Sequence, residues 1–189
     1  VVGLAVSFLM PQKWTSQAIV TSADRTQWNS LREMLMDIQV LDIDVKVSRD
    51  EVFNLFIKKF QSQSLLEEYM KSSPYVMQQL EGAEMDEFSL HRAIVGMAER
   101  MKAQDNNAVK GGDKAAFSSW TLSFTAPSAA DAQIVLQGYI KYVSDIVETE
   151  TLQNIRNTLK LQTNMEKERL ELDRVRLTIF HNPQLHRLN

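Results

Sequence analysis

The longest regular pattern of apolar and polar positions runs from Ser128 to Phe180. This stretch contains no proline and a single glycine, Gly138. Ser128 followed by Asp131 resembles a capping box, which satisfies backbone N–H groups at a helix start. Pro183 disfavours helical geometry in the residue before it, so the helix should end close to that point. The pattern predicts one helix about 80 Å long, which we expect to project from its own domain.

The predicted helix changes character along its length. Residues 132–147 are apolar almost all round, which is typical of a segment buried in a core. Beyond residue 150 a narrow apolar stripe remains, with steps of three or four residues like a coiled-coil seam, and two of its positions are polar. We expect this seam to pack against a partner. Its predicted packing residues are Ile155, Leu159, Met165, Leu172, Val175 and Ile179.

The first third of the chain alternates between strand and helix patterns. Lys13–Ser22 is rich in Trp, Thr, Ile and Val, which predicts a first strand. Thr26–Ile38 has helical spacing, whereas Leu41–Val47 alternates strictly and predicts a short strand, with a connecting turn as the alternative. Ser48 and Glu51 form a capping box that begins a short apolar helix.

Two further short helices are predicted, one over residues 62–73 and one from Pro74 towards Gly82. The next helix is predicted over Asp86–Met101, with an exposed polar loop at Ala103–Lys114 after it. Phe117–Thr125 alternates and predicts a strand with one buried face. The buried side of the 86–101 helix should carry Phe88, Ile94, Met97 and Met101. The expected fold is α/β in the α+β sense, a small sheet packed with several helices plus one very long protruding helix.

The first ten residues are apolar or small and carry no charge. Ten residues are too short to span a bilayer, which predicts the C-terminal end of a cropped transmembrane helix. A signal-peptide core or an apolar first strand are the alternatives, although Pro11, Lys13 and Trp14 follow as a helix stop with interfacial residues. We therefore expect three parts, a membrane segment at 1–10, a membrane-proximal base domain at 11–150 and a protruding helix with its tip at 151–189.

Composition and motifs argue against a catalytic, metal-binding or nucleic-acid-binding site. The net charge of -3 and the pI of about 5.7 come without a basic cluster, so nucleic-acid binding is not expected. No cysteine is present, which excludes disulfides and thiolate sites. The three histidines have no metal-ligand spacing, residues 110–114 lack the phosphate-loop spacing, and no serine lies in GxSxG. We expect no catalytic residues, no cofactor and no metal.

Several segments resemble a known family. After the apolar start come Pro11, Lys13, Trp14, Thr15 and Ser16, the beginning of a KWTS.A.V strand. Residues 48–62 read SRDEVFNLFIKKFQS, and residues 127–133 read PSAADAQ before the long helix. These segments resemble the Wzz chain-length determinants, the bacterial polysaccharide co-polymerases, and most closely the branch associated with very long O-antigen.

The resemblance implies a periplasmic domain of the inner membrane, held between two transmembrane helices, with an α/β base and a helical hairpin. This chain would cover the end of the first transmembrane helix and the first part of that domain. The family implies a non-enzymatic, ring-shaped homo-oligomer that sets lipopolysaccharide O-antigen length with the polymerase and lipid-linked glycan as partners. The alternative is a membrane-anchored periplasmic sensor or adaptor whose long helix signals or bridges.

Overall fold

The computed structural model describes residues 13–22, 47–81, 85–107 and 118–181. The chain divides into two compact units. The first comprises Val1–Asn29 and Val47–Glu148, and the second comprises Ser30–Lys46 and Thr149–Asn189. The apolar segment 1–10, the helix predicted at Thr26–Ile38 and all but the last residue of the Leu41–Val47 strand lie outside the described residues.

A three-stranded antiparallel sheet lies in the first unit. Its strands are β1 (Trp14–Thr21), β2 (Met101–Asp105) and β3 (Ser119–Ala126), in the order β1-β3-β2. The strands predicted from alternation correspond to β1 and β3. On β3, Leu122 and Phe124 are buried, as the alternating pattern predicts.

Strand β2 corrects the sequence prediction, which placed a helix to Met101 and an exposed loop from Ala103. The preceding helix ends at Ala98, and Met101 pairs with Phe124 while Ala103 pairs with Leu122. The sequence MKAQD has little strand propensity of its own. Its conformation comes from pairing with β3, an effect of tertiary context that local patterns do not reveal.

Four short helices follow the predicted order. They are α1 (Arg49–Phe60), α2 (Gln63–Ser72), α3 (Pro74–Leu80) and α4 (Glu87–Ala98). Both hydrogen bonds of the capping box are present in α1, since Glu51 N donates to Ser48 Oγ and Ser48 N donates to Glu51 Oε2, each at 3.1 Å. The core of the unit receives Phe53, Phe56 and Phe60 from α1.

The prediction that Phe88 of α4 lies in the core is wrong. Phe88 is 65% exposed, and the guanidinium of Arg92 lies over its ring, 4.9 Å from the centroid. This cation–π contact is compatible with a solvated aromatic ring, because the cation keeps its exposure to water. Ile94 is buried as predicted.

The last element, α5 (Ala129–His181), confirms the predicted long helix. Asp131 N donates a 3.1 Å hydrogen bond to Ser128 Oγ at its start. The part of α5 in the first unit buries one side, not its whole circumference, because Ile134 is 55% exposed. Its fully buried residues are Ala132, Val135, Leu136, Tyr139, Val143 and Val147.

Candidate interaction surfaces

The predicted membrane-exit motif lies at the start of β1, with Pro11 outside the described residues. Trp14 pairs with Ala126, and its side chain is half exposed. Thr15 pairs with Thr125, and their hydroxyls are hydrogen-bonded at 2.9 Å. Lys13 precedes the strand and is exposed, whereas Ser16 is half-buried. The motif therefore builds one end of the sheet.

The sheet face opposite the core is rich in hydroxyl and amide groups. Alternate residues of β1 and β3 that pair on this face are Thr15 with Thr125, Gln17 with Ser123, Ile19 with Thr121, and Thr21 with Ser119. Asn106 extends this polar face, since its amide nitrogen donates to Ser119 Oγ at 3.1 Å and its amide oxygen accepts from Thr121 Oγ1 at 2.9 Å. Ile19 is the apolar exception and is 71% exposed.

An aromatic cluster joins the short helices to α5. The ring of Tyr139 lies 4.8 Å from that of Phe60 and 5.2 Å from that of Tyr69, and Tyr142 lies 5.5 Å from Tyr69, centroid to centroid. These separations suit tilted aromatic packing. The Tyr139 hydroxyl donates to the backbone oxygen of Phe60 at 3.0 Å, so this buried polar group is satisfied.

Burial also fixes the ionisation of these tyrosines. It raises the pKa of Tyr139 and of Tyr69, because the phenolate would lose its hydration. For Tyr142, burial raises the pKa first, and a hydrogen bond and the charge of Glu68 add to the effect. The three tyrosines therefore stay protonated at physiological pH, and their rings pack against one another.

Gly138 lies against this cluster. The Tyr69 hydroxyl occupies the space where a side chain at residue 138 would begin, and Tyr69 Cζ is 3.3 Å from the same point. The Tyr69 hydroxyl also donates to the backbone oxygen of Val135 at 3.3 Å. Helix α2 therefore approaches α5 at a position where only glycine leaves room.

The predicted seam residues in the second unit differ in their environment. Ile155 is buried and Leu159 is partly buried, whereas Met165, Leu172, Val175 and Ile179 are exposed. Successive residues of an α-helix are rotated by about 100° around its axis. Ile155 and Leu159 are therefore separated by roughly 80° or more around the axis from each of the four exposed residues. The six positions therefore divide between two faces of α5, and sequence reasoning missed Leu161, which shares the face of the exposed group and is itself exposed.

Candidate chemistry is sparse in the described part of the chain. There, no group of three or more His, Cys, Asp or Glu side chains could hold a metal ion. None of the helices within the described ranges combines the length and hydrophobicity that crossing a bilayer requires.

Comparisons with known proteins find a family, a curated relative and a solved structure. Residues 1–73 match the Wzz family, described as chain length determinant protein. Over 188 residues, which is 99% of this chain, the sequence is 53% identical to the ferric enterobactin transport protein FepE of Escherichia coli strain K12. That alignment covers 50% of FepE, so the chain spans about half the length of this curated relative.

Among solved structures, the chain resembles a fragment of WzzB, a polysaccharide co-polymerase from Salmonella Typhimurium. The TM-score is 0.55 at 23% sequence identity, covering 92% of this chain and 77% of the other. At this identity the likeness establishes the fold. A small sheet with several helices and one long C-terminal helix is shared by both proteins, which confirms the predicted fold class.

Proposed function

The chain fits the Wzz family of chain length determinants, and on that premise we propose that its protein regulates the chain length of lipopolysaccharide O-antigen. The observation that carries this proposal is the family match over residues 1–73, which contain β1, α1 and α2. Those elements build the sheet end and the aromatic core described above. The agreement of fold with the WzzB fragment supports the same reading.

The proposed regulator is a scaffold without catalytic groups. It lies in the bacterial inner membrane, with residues 11–150 as a membrane-proximal periplasmic base and residues 151–189 as a protruding helix and tip. In this proposal the chain leaves the membrane at the motif of Pro11, Lys13, Trp14, Thr15 and Ser16, where β1 begins. The exposed indole of Trp14 beside Lys13 supports this placement, since both residue types favour membrane interfaces.

Copies of the protein assemble into a ring in this proposal, with the O-antigen polymerase and the lipid-linked glycan as its partners. Exposed apolar side chains along the distal part of α5, among them Leu161, Met165 and Leu172, support self-assembly, because monomeric proteins rarely leave large apolar patches exposed.

The name of the Escherichia coli relative supplies a second candidate function, transport of ferric enterobactin. The two candidates predict different phenotypes. A regulator biases where polymerisation stops, so its loss should broaden or shift polysaccharide lengths while polymer is still made. A transport component should instead limit growth when ferric enterobactin is the sole iron source.

One deletion strain tests both candidates. We expect gel profiles of its lipopolysaccharide to lose the modal band and retain polymer, with normal growth on ferric enterobactin, and a plasmid copy should restore the band. Complete loss of polymer would overturn the regulator and point to an enzyme. An unchanged profile combined with failure to grow on ferric enterobactin would favour transport.

A further inference from the structure

The sheet face opposite the core extends across all three strands. It consists of the four pairs of β1 and β3 residues described above, of Lys102 and Gln104 on β2, and of Asn106. In the register of the sheet, Lys102 lies beside Ser123 and Gln104 lies beside Thr121, and both β2 side chains are exposed. We call this surface the polar sheet face. It extends about 20 Å along the strands, at about 3.4 Å per residue.

The polar sheet face is almost free of charge. Nine of its eleven positions carry a hydroxyl or amide side chain, and Lys102 is the single charged residue among them, although 24% of the whole chain is charged. Strand propensity favours threonine, but it does not favour the glutamines and serines of this face. The surface is therefore specialised for uncharged hydrogen bonding.

Hydrogen bonds within the polar sheet face hold part of it in place. The side chain of Asn106 is fixed by its contacts with Ser119 and Thr121, at 3.1 and 2.9 Å. An amide side chain offers two N–H donors and an oxygen that accepts two hydrogen bonds, so Asn106 keeps bonding capacity beyond these contacts. A ligand on this face would meet polar groups that are already oriented.

The same properties distinguish the possible ligands. A sugar ring has hydroxyl groups around its rim and C–H groups on its two faces, which suits hydroxyl and amide side chains around the exposed Ile19. Interfaces between proteins are instead enriched in aromatic residues, methionine and arginine, none of which occupies the eleven positions. Nucleic acids and anionic membranes bind basic clusters, and the polar sheet face has one lysine.

We propose that the polar sheet face binds uncharged sugar units of the lipid-linked glycan. This inference rests on the proposed function and adds the surface at which the glycan binds. The face begins at Thr15, which also belongs to the motif where the chain leaves the membrane in that proposal. Sugars attached to a membrane lipid are therefore within reach of its first residues.

Binding of polysaccharide to the full-length protein in detergent tests this contact. The probe is an O-antigen polysaccharide of uncharged sugars, released from its lipid by mild acid, and calorimetry measures the affinity. Gln17→Ala and Gln104→Ala should each weaken binding by about three- to tenfold, which is the effect of one lost hydrogen bond. Both side chains are exposed, so thermal unfolding should not change.

Gln137→Ala, at an exposed position of α5, is the matched control and should bind the polysaccharide as the native protein does. If Gln17→Ala and Gln104→Ala bind as tightly as this control, the polar sheet face is not the glycan site. The same conclusion follows if the native protein binds no polysaccharide.

Two further measurements test the kind of recognition. Ile19→Ala should weaken binding several-fold without loss of stability, because the isoleucine is 71% exposed in the free protein. Affinity should be nearly the same at low and high salt, and Lys102→Gln should change it little, since salt screens charges and not neutral hydrogen bonds. An affinity that falls steeply with salt would overturn recognition by uncharged groups.

The deletion strain separates this inference from the proposed function. Loss of the modal band, combined with a native protein that binds no polysaccharide, would overturn the glycan site while the regulator stands. Binding that depends on Gln17 and Gln104, combined with an unchanged modal band, would overturn the regulator while the glycan site stands. Face variants that alter the oligomer size in light scattering and leave polysaccharide binding intact would make the face an interface between copies and would overturn this inference.

Discussion

The hydroxyl of Tyr69 lies where the side chain of residue 138 would begin, so α2 meets α5 through a contact that requires Gly138. The same hydroxyl donates to the backbone oxygen of Val135, one turn earlier on α5. Beside it, Tyr139 fills the core between Phe60 and Tyr69. Tyr69 and Gly138 together thus fix the position of α2 on the long helix.

Replacing Gly138 with alanine should destabilise the protein. In an open helix position the change is worth up to about 1 kcal/mol of added stability. Here the new methyl group meets the Tyr69 hydroxyl, and overpacking of this kind costs about 1–3 kcal/mol. We expect a net loss in urea denaturation, and we expect Tyr69→Phe combined with Gly138→Ala to lose less than the sum of the two single changes.

Gly96 in α4 is the matched control for that experiment. A Cβ built at residue 96 meets nothing within 4 Å, so Gly96→Ala should raise stability by about 0.5–1 kcal/mol through helix propensity alone. If the two glycine variants change stability by the same amount, the contact between Tyr69 and Gly138 does not constrain the fold.

Removing the Tyr139 hydroxyl should leave the backbone oxygen of Phe60 without its buried donor. The hydrogen bond is 3.0 Å long, and leaving such an acceptor unsatisfied costs about 1–3 kcal/mol. Tyr139→Phe keeps the ring and its packing, so the loss reports the hydroxyl. Thermal unfolding measures it, with Tyr142→Phe, a partly exposed neighbour, as a control that should lose less. Equal losses in the two variants would contradict a specific role for the Tyr139 hydroxyl.

The raised pKa of Tyr75 predicts that the protein loses stability in alkaline solution. Burial, followed by a hydrogen bond to Asp131 and the charge of that carboxylate, raises the pKa of Tyr75 to about 12 from 10.0. The folded state therefore retains a proton that the unfolded state releases. The resulting stabilisation is complete below pH 10 and is lost as the pH rises towards 12.

The variant Tyr75→Phe isolates this effect. The difference in free energy of unfolding between the native protein and the variant should shrink between pH 10 and pH 12, because only the native protein has this ionisation. Denaturation midpoints at several pH values measure it. Parallel curves over this interval would show that the pKa of Tyr75 is not raised by folding.

Amide hydrogen exchange should separate the two parts of α5. Residues 135–147 are packed and should be protected towards the global stability, whereas residues 165–180 should exchange quickly in a dilute monomer because their side chains are exposed. Protection of the distal amides should rise with protein concentration as copies associate. Strong distal protection in the dilute monomer would contradict the exposure of the distal side chains of α5.

The sequence reveals those elements whose signals are local. The capping residues Ser48 and Glu51, the alternation around Leu122 and the long run without proline all predicted elements that the structure confirms. Strand β2 could not be predicted in this way, because its polar sequence becomes a strand only through pairing with β3. Phe88 was assigned to the core by helical spacing alone, which does not show that the first turn of α4 faces solvent.

The interaction surfaces were predicted less completely than the fold. Gly138 stands out in sequence as the lone glycine of the long helix, but its partner, Tyr69, is 69 residues earlier and no local pattern joins them. The apolar seam was recognised, yet steps of three and four residues alone merged two faces of α5 into one. A strict seven-residue repeat would have placed Ile155 and Leu172 on different faces of α5 and would have included Leu161.

The central claim is that this protein sets polysaccharide length, and a gain-of-function measurement tests it most directly. The protein should be made in a strain whose own chain length determinants have been deleted, and the lipopolysaccharide lengths should be read from a gel. We expect the unregulated ladder to be replaced by a modal cluster of lengths, whose intensity falls when expression is reduced. A ladder that stays unregulated while folded protein is present in the cells would contradict the claim.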